Sequence, residues 1–104
     1  MQKQEKGDKT MKYENLTQYV VEHMDEMIVC FDRNGVITYG NPAAGARLEF
    51  GEELVGTHIS EIFPNAFWVA DPGFGTDVEF NEENYELMAY RYNKTCFPID
   101  AKFI

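Results

Sequence analysis

Two histidines, His23 and His58, and two cysteines, Cys30 and Cys96, are the soft metal-ligating and nucleophilic side chains of this 104-residue chain. They lack the closely paired spacing of zinc sites, so no metal site is expected. A Cys/His nucleophilic pair would need both groups within hydrogen-bond reach and a third group to orient the base, and nothing in the spacing indicates that arrangement. The carboxylates Asp25, Glu26, Asp77, Glu79, Glu82 and Glu83 stand beside turns or at outward alternating positions, where solvation is the default. No catalytic residue is assigned, and the chain is not expected to be an enzyme.

What must position any binding residues is one compact domain, since 104 residues leave little room for a second core. Hydrophobic residues make up 44% and charged residues 26%, a soluble globular mix rather than a disordered one. Eight Phe, six Tyr and one Trp give a small domain enough bulk to fill a core without disulfides. Cys30 and Cys96, each within an apolar stretch, read as reduced, buried thiols. The start MQKQEKGDKTMK has no apolar signal region, and no run is long enough to span a membrane, so a cytoplasmic location is expected. The triplets Asn15-Leu16-Thr17 and Asn93-Lys94-Thr95 are then chance matches to a glycosylation site. A net charge of −9 repels phosphate backbones and anionic headgroups, which argues against direct nucleic-acid binding.

Residues 1–12 read as a mobile leader. Over 13–26, Leu16, Tyr19, Val20, His23, Met24 and Met27 recur at three- and four-residue steps, the mark of an amphipathic helix, with Asn15 and Gln18 as a capping-box pair. The domain proper is expected over 27–104. Met27-Ile28-Val29-Cys30-Phe31 is continuously apolar, as in a strand covered on both faces, and Asp32-Arg33-Asn34-Gly35 turns the chain into Val36-Ile37-Thr38-Tyr39. Asn41-Pro42 opens a helix: Asn accepts from free helical amides, and Pro at the first helical position loses no bond. Short turns follow, punctuated by Gly51 and Gly56, and one more apolar turn carries Ile59, Ile62 and Phe63. Residues 65–75 read ambiguously; Phe67-Trp68-Val69 fits a short helix. After them the period becomes two, giving strands around Val78 and Phe80, over Tyr85 to Tyr92, and around Phe97, Ile99, Ala101 and Phe103.

The run from Ile28 to Ala44, followed by Gly51-Glu52-Glu53-Leu54-Val55-Gly56 and Ile59-Ser60-Glu61-Ile62-Phe63-Pro64, resembles the opening of a PAS domain. Such domains show a strand, D-x-x-G, a strand, N-x-A and an E-E-L-x-G turn in this order. The resemblance covers about Met27 to Pro64 and thins beyond it. It implies an α+β fold, a PAS-like five-stranded antiparallel sheet of order 2-1-5-4-3 with short helices over one face. Arg91 to Ile99 resembles the family's paired-strand segment, which one further strand usually follows. Either Thr76 to Phe80 supplies the third strand and the sheet is complete, the preferred reading, or the last strand is missing.

The resemblance further implies a sensory or dimerisation module rather than a particular signal. Flavin photoreceptors of the family carry Asn-Cys-Arg-Phe-Leu-Gln on a helix, and haem members a proximal His after it. Neither occurs here, so the cofactor is left unknown, with haem and photoadduct-forming flavin disfavoured. A small-molecule ligand, if bound, would enter an apolar pocket with candidates Cys30, Ile37, Leu48, Ile62, Phe63, Phe67, Met88 and Tyr90, near the aromatic-polar cluster Tyr90, Arg91 and Tyr92. The bland alternative is that these side chains only fill the core. Asn41 is read as a structural cap, and Leu16, Tyr19, Val20, His23 and Met24 as the face of a homodimer helix. A covalently linked output domain is expected beyond Ile104: a histidine kinase, a cyclic-dinucleotide enzyme or a transcription activator. The rival is a free-standing small-ligand carrier of the same fold.

Overall fold

The computed structural model describes residues 9–104, with side chains from Leu16 onward. The first helix, α1, spans Lys9–Glu22. It begins inside the stretch read as a leader and ends short of residue 26, and the rest of that leader lies outside the described residues. Asn15 therefore stands within the helix rather than at its cap, and the Gln18 side chain donates to Glu22 one turn on.

Strands β1, Val29–Phe31, and β2, Ile37–Gly40, form an antiparallel hairpin. Its turn is held by Asp32, whose Oδ1 accepts from the amides of Asn34 and Val36. Gly35 sits there at φ +82° with its missing side chain against the His58 ring, so only glycine suits both the backbone and the space. Helix α2, Pro42–Arg47, follows directly. A 3-10 turn over Gly51–Leu54 and helix α3, Ile59–Ile62, complete the helical layer.

The stretch 65–75 resolves into a hairpin, not a helix. Strand β3, Phe67–Val69, pairs antiparallel with β4, Phe74–Thr76, in the register Phe67 with Thr76 and Val69 with Phe74. An aromatic and β-branched triplet ahead of Asp71-Pro72-Gly73 suits a strand running into a turn. Residues 77–80 form no strand: Thr76 Oγ1 accepts from the Val78 amide and donates to Ala66 O, which bends the chain and buries Val78. The chain closes with the long hairpin of β5, Asn84–Tyr90, and β6, Cys96–Lys102.

The architecture is α+β, with short helices and antiparallel strands. Among the described residues the strands form three separate pairs, β1 with β2, β3 with β4 and β5 with β6. The preferred reading of a complete sheet is thus overturned, because Thr76 to Phe80 supplies no sheet strand. The core lies between the helices and the inner faces of β2 and β5, where Ile37, Leu48, Leu54, Ile59, Ile62 and Phe67 are each at most 2% exposed. Each such side chain contributes about 1.5–3 kcal/mol by leaving water.

Candidate functional site

The principal concavity is a cleft of about 880 Å³ between two strands that do not meet. One wall is Glu26 to Phe31, including all of β1; the other is Pro98 to Ile104, including the second half of β6. Its floor is Leu48 from the end of α2, Ile59 and Ile62 from α3, and Phe63. Met27, Val29, Phe31, Ile99 and Ala101 pack against the core yet stay only half-buried, because nothing described covers them from the cleft side.

Of the eight pocket candidates, Cys30, Leu48, Ile62 and Phe63 line this cleft. Ile37 and Phe67 are fully buried core and do not reach it. Met88, 41% exposed, and Tyr90 lie on the opposite face of β5. The reason is period-two alternation: Ala89, 0% exposed, takes the inward place, and its neighbours must point the other way. The aromatic-polar cluster divides for the same reason. Arg91 lies over the Phe97 ring, 4.3 Å from its centroid, and its Nε is 3.9 Å from Glu49, whereas Tyr92 meets Phe50 edge-on. Val29, Phe31, Ile99 and Ala101 escaped the list of candidates, although the alternation over 97–103 already placed Ile99 and Ala101 on one face.

Both cysteines are exposed, contrary to the expectation of burial. An apolar run in a three-residue strand is not covered on both faces: Val29 and Phe31 turn inward and Cys30 faces out. His58 is not a plain loop residue. It caps α3, its Nδ1 accepting from the Ser60 amide at 3.1 Å, while Nε2 is buried without a hydrogen-bond partner. Among the described residues, no three His, Cys, Asp or Glu side chains gather as a metal site.

Asn41 joins more elements than a cap requires. Its Oδ1 accepts from Ala44 N at 3.1 Å, capping α2, and from Ile28 N at 3.0 Å, just ahead of β1. Its Nδ2 donates to Val21 O at 3.1 Å, at the end of α1, and to Glu26 O at 2.8 Å. One fully buried side chain thus fastens α1, the approach to β1, and α2 to one another. Beyond this anchor α1 shows an apolar face to solvent: Leu16 and Tyr19 are each 58% exposed and Val20 51%. His23 is exposed too, stacked on Tyr19 with centroids 4.0 Å apart, and Met24 is half-buried. No described helix is long and apolar enough to cross a membrane.

Neither the curated proteins nor the solved structures supply a match to the chain. A family model described as PAS domain matches residues 15–84, from α1 through the start of β5, well past the segment that carries the sequence resemblance. A match over more than half of its length shows that the chain belongs to the PAS domain family, a family of sensory and signalling modules.

Proposed function

We propose that this chain is the sensory and dimerisation module of a cytoplasmic signal-transduction protein, without catalytic activity of its own, which relays a signal to an output domain beyond residue 104. The observation that supports this most is α1, whose exposed stripe of Leu16, Tyr19 and Val20 continues from an end fastened to β1 and α2 through Asn41. A stripe of this kind is removed from water by a symmetric contact with a second copy. A small displacement of β1 then reaches the paired helices through one side chain, and rotation of two helices against each other is a recognised way to pass a signal on. The sheet order 2-1-5-4-3 expected for the family would arise if one further strand lay between β1 and β6, with β2 and β5 outside them.

The test is analytical ultracentrifugation of the protein and of its Leu16→Glu plus Val20→Glu variant. A wild-type dimer that becomes a folded monomer supports the reading. A monomeric wild type, or a variant that stays dimeric, overturns it.

The cleft favours one second reading, a free-standing carrier of a small apolar ligand, since its size lies in the range of about 300–1,000 Å³ usual for ligand pockets. Native mass spectrometry of the purified protein separates the two. A stoichiometric small molecule on a monomer speaks for the carrier.

A further inference from the structure

The walls of the cleft are two strand edges, and their backbone groups can be followed one by one. In β1 the flanking bonds, Asn41 N–H to Ile28 O and Asp32 N–H to Val36 O, fix which residues face β2. Antiparallel pairing alternates, so Cys30 opposite Tyr39 also faces β2, while Val29 and Phe31 aim their N–H and C=O groups away from it. In the last hairpin, Arg91 N–H donates to Thr95 O, and Ala89 with Phe97, Leu87 with Ile99 and Tyr85 with Ala101 are the bonded pairs by the same alternation. Pro98, which has no N–H, falls on the outward set with Asp100 and Lys102. Among the described residues, none of the outward groups of Val29, Phe31, Pro98, Asp100 or Lys102 has a hydrogen-bond partner.

Two open edges facing one cleft, over an apolar floor, are complementary to a single extended backbone. We infer that the cleft takes one β-strand from a partner polypeptide, inserted between β1 and β6 and hydrogen-bonded to both. Its side chains alternate: apolar ones rest on Leu48, Ile62 and Phe63, and polar ones face out beside Cys30 and Asp100. Glu26 and Asp100 on the walls are offset by Arg47 and Lys102, so the preference in charge comes from the whole chain, whose −9 favours a strand with basic outward positions. This chain does not supply the strand from its first eight residues, since MQKQEKGD carries one apolar side chain. A second copy is equally unsuited, because each of its strands is already held in a hairpin that would have to open. The inference rests on the open edges and not on the relay reading.

The test uses the full chain and the peptide Lys-Val-Thr-Val-Arg-Val-Thr-Val-Lys. It also uses two forms of that peptide, N-methylated on one or the other alternating set of backbone nitrogens. The plain peptide is expected to slow amide exchange at Val29, Phe31, Asp100 and Lys102 by about tenfold or more. Both methylated forms are expected to lose this protection, since each blocks one of the two ladders. In the protein, Asp100→Pro removes one outward donor without touching the β5 ladder, as Pro98 already does at an equivalent position. That variant should fold and bind the peptide at least about tenfold more weakly. Absence of protection by the plain peptide, or equal binding of a methylated form, overturns two-edged insertion. Protection of these amides without peptide, growing with protein concentration, overturns the partner in favour of a second copy. The methylated peptides act on the unaltered protein, so the result stands even if Asp100→Pro unfolds.

Discussion

Replacement of Asn41 probes the fastening of α1 more directly than any change in α1 itself. Asn41→Ala strips the acceptor from the amides of Ala44, which is buried, and Ile28, which is partly so, and the donor from Val21 O and Glu26 O. A lost helix cap alone costs about 0.5–2 kcal/mol. Each buried donor left unpaired costs about 1–3 kcal/mol, with the partly buried groups at the low end, so the whole loss should be about 3–5 kcal/mol. Against a total stability of about 5–15 kcal/mol this is a large part. The urea midpoint should fall by roughly 2–3 M if the slope is near 1.5 kcal/mol per M. Asn41→Asp separates the two halves of the side chain. It keeps the acceptor for Ala44 and Ile28 but sets a carboxylate against two carbonyl oxygens, so hydrogen exchange should quicken around Val21 to Met24 while Ala44 stays protected. Burial and the facing carbonyls raise the folded-state pKa of that new carboxyl above its unfolded value, and the folded state then binds more protons. Stability of the Asp variant relative to wild type must therefore fall as pH rises through the carboxyl range and recover on acidification. A loss below about 1 kcal/mol for Asn41→Ala, within the range of a lone cap, would refute the fastening. So would an Asp variant whose exchange quickens equally at Ala44 and at the end of α1.

Phe67 is fully buried among the rings of Phe31, Phe63, Phe74 and Phe103, with centroids 5.3–6.2 Å away, so Phe67→Ala should lower unfolding free energy by about 3–5 kcal/mol in denaturant titration. Gly35→Ala meets both a positive φ and the His58 ring, and should cost more than the ~1 kcal/mol of the backbone term alone, read as a lowered thermal midpoint. Cys30 and Cys96 are both exposed, so a thiol reagent should titrate both in the native protein at a rate close to that in denaturant; a protected thiol would contradict their placement.

The elements legible in the sequence were those whose signals are local. Asp32 to Gly35 turns the chain because Asp32 accepts from two nearby amides, and Asn41-Pro42 starts a helix because a cap and a first-turn Pro act within four residues. The hairpin of β3 and β4 was missed where local signals conflict. Phe-Trp-Val satisfies either a buried helical turn or a strand, and only its pairing across to Phe74–Thr76 decides. The full reach of Asn41 was out of range for the same reason. Its bonds to Val21 and Glu26 cross 20 and 15 residues, and no spacing rule ties a cap to the end of the preceding helix.

The site was half legible, and the half that failed shows what a pocket reading lacks. Choosing large apolar residues in β5 selected Met88 and Tyr90, but the inward place belongs to Ala89, because the helical layer comes so close there that a small side chain fits and a large one would not. Size is a poor guide to direction in a strand; parity is a good one, and the alternation over Phe97 to Phe103 gives it. More fundamentally, side-chain lists describe a cavity by what fills it, whereas this cleft is defined by backbone groups that every residue carries. Pro98 is the exception that sequence does expose: a proline inside a strand must put its missing donor where no ladder needs it in the isolated hairpin. That parity argument places Asp100 and Lys102 on the same edge as Pro98, and with it the direction in which β6 remains open.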